Sequence, residues 1–115
     1  MNYLQEVRIE TSKDIVFTCH IISTNNSAPF GAEVLIYDPR INTIFSSLHT
    51  IGSFNSAQDA YSEIIAFCQK YSGIAGVSIN KIDNQCNAPF IDKQAQQLIV
   101  NTKGVSSVTV LVNGQ

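Results

Sequence analysis

Few side chains in this chain can do acid–base or nucleophilic chemistry: three cysteines and two histidines. Cys19 and His20 are adjacent, which sets a thiol beside a base able to deprotonate it. On a strand, however, neighbours point to opposite faces, so the two cannot share that hydrogen bond. Cys19 also alternates with Phe17 and Ile21, the pattern of a buried face. Cys68 falls on the apolar stripe of a helix and reads as core. Cys86 lies in the polar run 83–89, between Gln85 and Asn87, and is expected to be exposed. It is the best candidate nucleophile. A plain surface cysteine is the favoured alternative, because no neighbouring cation in the sequence would lower its pKa.

His20 and His49 are the candidate general bases, expected on the less apolar sides of the second and fourth strands. In a simple meander the third strand lies between them. Two strand spacings of about 4.8 Å put them roughly 9.6 Å apart. That is too far to share one metal ion, whose bonds to nitrogen are about 2 Å long. It suits two walls of a shallow polar site with Glu33, Leu35 and Tyr37 between them. Half-buried structural histidines are the favoured alternative. No Cys-x-x-Cys, His-Glu-x-x-His, glycine-rich phosphate loop or Gly-x-Ser-x-Gly elbow occurs. No cofactor and no metal site are therefore expected.

The elements that must position these residues are legible from periodicity. Residues 3–10 alternate, with Tyr3, Gln5, Val7 and Ile9 on one face and Leu4, Glu6, Arg8 and Glu10 on the other. Residues 15–23, 31–38 and 43–51 give three further strands, the third of these leading through Gly52 into a helix. That helix is the best-defined element. Ser56 and Asp59 form a capping-box pair at its start. Ala57, Ala60, Tyr61, Ile64, Phe67, Cys68 and Tyr71 recur at steps of three and four. Gly73 is expected to close it, so the predicted span is 56–72, with Ile64 and Phe67 deeply buried. Residues 75–82 read as a strand. Residues 91–101 read as a shorter helix, with Ile91, Ala95, Leu98 and Ile99 near one face and Asp92 in its first turn. Val108, Val110 and Val112 alternate in a last strand over 105–112. The expectation is one α+β domain over residues 1–115, a largely antiparallel sheet of order β-β-β-β-α-β-α-β with both helices on one face.

Composition narrows the function. Hydrophobic residues are 44% of the chain, ordinary for a globular protein, while charged residues are only 14%, well under the usual quarter or so. A weakly charged surface repels copies of itself poorly, which favours self-association. The net charge is -2 and the basic residues are scattered singly, which argues against nucleic-acid binding. No apolar run reaches the length of a membrane span. Residues 1–10 carry Gln5, Glu6, Arg8 and Glu10, so no signal-peptide core is expected and a cytoplasmic setting with free thiols follows. The function expected is a small noncatalytic protein-binding module, an inhibitor or regulator of another protein, with a homodimer through a sheet edge or the helix-free sheet face. Leu35, Tyr37, Phe45 and Ile51 are the expected interface residues. The alternatives are a small enzyme using Cys86 or His20 and His49, and a nucleic-acid binder.

Overall fold

The computed structural model describes residues 3–41, 47–86, 89–105 and 107–112. Four strands come first: β1 (Tyr3–Thr11), β2 (Val16–Ser23), β3 (Phe30–Tyr37) and β4 (Ser47–Phe54). They are followed by α1 (Ala57–Ala75), β5 (Ile79–Asn84), α2 (Lys93–Thr102) and β6 (Val110–Val112). The strands form one six-stranded sheet in the order β4-β3-β2-β1-β5-β6. Every pairing is antiparallel except β5–β6, where α2 supplies the crossover that parallel neighbours need. This is the expected α+β arrangement, with both helices on one face of the sheet.

Alternation decides which face they cover. Gln5, Val7 and Ile9 of β1, Phe17, Cys19 and Ile21 of β2, and Ala32, Val34 and Ile36 of β3 are buried. The helices lie on that side, and α1 runs across β2, β3 and β4. Ser56 caps α1 as expected, its side chain accepting from the Asp59 N–H at 3.0 Å. The helix passes through Gly73 and ends at Gly76, a correction to the predicted end. Gly76 has φ 75°, a left-handed conformation that glycine adopts without steric cost. From there Gly76 N–H reaches Gly73 O and Val77 N–H reaches Ser72 O, the two bonds of a Schellman closure. Because α1 runs further, β5 also begins later than residue 75.

Tyr61, Ile64, Ile65 and Cys68 are wholly buried under α1. Each large apolar side chain so placed stabilises the fold by roughly 1.5–3 kcal/mol. Phe67, expected deep in the core, is only half-buried. It overhangs the outer strand, where the sheet beneath it ends. Asp92 caps α2 from outside its first turn, accepting from Ala95 N–H at 2.7 Å. Leu98, expected to face inward, is exposed, and Gln96 and Val100 hold the buried positions instead. The last strand is shorter than the valine alternation implies. The Gln97 side chain donates to Val108 O and accepts from Val110 N–H, taking backbone groups a longer strand would pair. Val105 and Val108 are buried all the same.

β4 carries one irregularity with large consequences. Phe54 opposes Phe30 and Gly52 opposes Ala32, but Thr50 opposes Glu33 and His49 opposes Val34. Ile51 is the extra residue of a bulge, beside Gly52 at φ 142°. A one-residue offset sends every preceding side chain to the other face.

Candidate functional site

The helix-free face is organised in rows by the strand register. Glu6 of β1, His20 of β2 and Glu33 of β3 stand side by side. His20 Nε2 lies 3.0 Å from Glu6 Oε1, and Nδ1 lies 3.0 Å from Glu33 Oε1. Both ring nitrogens face carboxylates, so the arrangement favours the doubly protonated ring. Burial opposes that charge, but hydrogen bonds to Glu6 and Glu33 outweigh it and raise the His20 pKa above the ordinary 6.5. With both ring nitrogens so engaged, the protonated His20 has no free lone pair with which to act as a base. Leu4 and Ile22 border this row on one side, Leu35 and Leu48 on the other, with Tyr37 one row further. Tyr37 and Leu48 are exposed and Leu35 is half-buried. On the same face Lys81 sits 3.8 Å from Glu10 and 3.9 Å from Asp83.

His49 does not join His20. The β4 bulge turns it to the helix side, where its ring lies 5.4 Å from the ring of Phe67. The shallow two-histidine site expected from the sequence is therefore not formed. Ile51 is corrected for the same reason: it packs beside the core on the helix side rather than on the open face. Phe45 lies outside the described residues.

What the bulge builds instead is a groove of about 570 Å³ between β4 and α1. Leu48, His49, Thr50 and Ile51 form one wall; Glu63, Ala66, Phe67 and Lys70 form the other. The helical residues are spaced three and four apart, so they share one face of α1. Sequence reading missed Glu63, Ala66 and Lys70, which sit between the residues of the apolar stripe. β4 is the outermost strand and, among the described residues, pairs on one side only. It carries no Lys, Arg, Asp, Glu or Pro along its eight residues, the devices that normally guard an exposed edge.

A latch holds this end of the fold. Asp38, just past β3, accepts from Arg40 Nε at 3.0 Å, Arg40 Nη2 at 2.9 Å and Tyr71 Oη at 2.7 Å. The Arg40 guanidinium beside it, against the opposing effect of burial, brings the Asp38 carboxyl down to about 2. Arg40 also donates to Ala75 O at 3.1 Å. It thereby places a cation at the negative end of α1, whose own last turn has no basic residue.

The thiols offer little chemistry. Cys19 and Cys68 are buried with their sulfurs 3.9 Å apart, and burial pushes the Cys68 thiol well up. Cys86, expected to be exposed, is half-buried with its sulfur 3.7 Å from Leu4 O. No cluster of three or more His, Cys, Asp or Glu able to hold a metal ion occurs among the described residues. No helix among them is long and apolar enough to cross a membrane. Comparison of the chain with protein-family models, curated proteins and solved structures returns no match.

Proposed function

We propose that this chain is a noncatalytic protein-binding module that accepts an extended segment of a protein along the open edge of β4. The observation that carries this reading is an eight-residue, uncharged, proline-free edge strand flanked by a helix. A strand added there would pair with the outer backbone groups of β4, which no described strand takes, and its alternate side chains would enter the groove over Ile51, Ala66 and Phe67. Main-chain bonds supply affinity in this mode, and the side-chain groove supplies selectivity. The noncatalytic part is supported by the state of the three candidate groups. His20 is clamped between carboxylates, the His49 ring lies tilted against Phe67, and the Cys86 thiol points at the Leu4 carbonyl oxygen.

The test is a photoreactive benzophenone residue placed at position 49, beside the groove, and at Gln58 on the exposed side of α1 as a control. Irradiation of the full chain in its source cells should give a protein adduct from position 49 and none from position 58. Absence of any adduct at position 49 rejects the reading.

A further inference from the structure

We infer that the segment filling the β4–α1 groove is β4 of a second copy of this chain, which deepens the strand-addition reading and rests on it. Three features of the groove fit a two-fold axis. First, in an antiparallel self-pairing, directly opposed residues must point to the same face. An axis at His49 satisfies this: His49 faces its own copy on the helix side, and Leu48 faces the copy's Thr50 on the open side. Second, the same axis crosses α1 level with Phe67, because the His49 and Phe67 rings are in contact. Glu63 and Lys70 then lie on opposite sides of it at nearly equal distance along the helix. Glu63 of one copy faces Lys70 of the other, and the reverse pair forms by symmetry, the reciprocity an isologous interface requires.

Third, the spacing suits those side chains. α1 lies across β2, β3 and β4, so its axis runs over β3. From β3 through β4 and its copy to the second β3 is three strand spacings, about 14 Å. Subtracting two helix radii of about 2.3 Å leaves roughly 10 Å between Cα atoms. A Glu and a Lys side chain together span that distance, while Phe67 and His49 of both copies fill the space beneath. An axis at His49 sets Ser47 against the copy's Ile51, so residues 47–51 of the two copies pair, and the joined edges would be about 17 Å long, from five residues at about 3.4 Å each, and about 20 Å deep through sheet and helix. That is roughly 340 Å² a side, or about 700 Å² in all, the size of a weak, concentration-dependent contact rather than a permanent dimer. The low charge of the chain, 14% of residues, opposes such pairing little. The opposite edge of the sheet is the three-residue β6, too short to template a comparable contact.

Sedimentation velocity of the full chain over about 1–100 μM should show a dimer. Backbone amides of β4 should exchange with deuterium more slowly as concentration rises. Glu63 and Lys70 are both exposed, so charge reversal leaves the fold intact, which circular dichroism checks. Glu63→Lys alone and Lys70→Glu alone should each weaken the dimer about tenfold, and the double variant should restore it. A monomer at 100 μM overturns the inference. So does a dimer indifferent to both reversals with β4 exchange independent of concentration. A monomer whose position-49 crosslinker captures a different protein overturns the second-copy assignment and leaves strand addition standing. A monomer with no adduct at that position overturns both.

Discussion

Replacing Asp38 by Asn removes one charge from a site that otherwise keeps its shape. The wild-type carboxylate is 4% exposed and accepts from the Arg40 backbone N–H at 3.1 Å as well as from the Arg40 and Tyr71 side chains. Its pKa falls from the ordinary 3.8 to about 2, chiefly through the Arg40 hydrogen bonds, which overcome burial. A shift of nearly two pH units corresponds to about 2 kcal/mol, at about 1.36 kcal/mol per unit. The outer side of Arg40 is exposed, so screening makes that an upper figure. The folded pKa lies below the unfolded one. The stabilisation is therefore complete above about pH 3.8, shrinks as pH falls toward 2, and is gone below that. Urea unfolding of wild type and Asp38→Asn at pH 7, 4.5 and 2.5 measures it directly. The difference should be about 2 kcal/mol at pH 7, close to that at pH 4.5, and under half of it at pH 2.5. A difference of the same size at all three pH values would show that packing, not the charge pair, accounts for it. No difference at pH 7 would refute the latch altogether.

His20→Gln should behave with the opposite sign. The folded pKa of His20 is raised, so its contribution, about 1 kcal/mol for hydrogen-bonded charges near the surface, is present below about pH 6.5 and fades as pH rises through the raised value. Thermal unfolding at pH 5.5 and pH 9 should show the variant less stable than wild type only at the lower pH; a gap that widens toward pH 9 would contradict the imidazolium clamp. Gly52→Ala should destabilise by about 1–3 kcal/mol, because a side chain at φ 142° is strained even though its Cβ would meet the Phe54 ring only at ordinary contact distance. Gly73→Ala, inside α1 with open space around it, should instead stabilise by roughly 0.5–1 kcal/mol. Equal effects of the two alanines in denaturant unfolding would mean that the bulge is not formed.

The parts of the fold that sequence reveals are those where one local signal repeats. Val7 and Ile9, then Phe17, Cys19 and Ile21, state the buried face of each strand twice or more, and Ser56 marks the start of α1 by its own chemistry. The end of α1 is harder. Gly73 and Gly76 are both plausible stops, and the choice falls to Gly76 through hydrogen bonds to Ser72 and Gly73 that form only once the turn exists. Glu33 could be placed near His20 from a meander alone. Glu6 needed the β1–β2 register, a property of two strands together.

The bulge in β4 was invisible for a deeper reason. An unbroken register counted back from Phe54 opposite Phe30 would set His49 against Leu35, on the face of His20. The one extra residue at Ile51 moves His49 to the helix side and creates the groove, yet leaves no signal in the sequence beyond Gly52. The edge itself follows from topology. A four-strand meander has two outer strands, β1 and β4, and the later elements cover β1 with β5 and β6. β4 is left as the outer strand, without the Lys, charge or Pro that usually guards one. That unguarded edge beside a helical groove is what the proposed strand addition would cover, and the reciprocal spacing of Glu63 and Lys70 about Phe67 is the feature on which the proposed second copy rests.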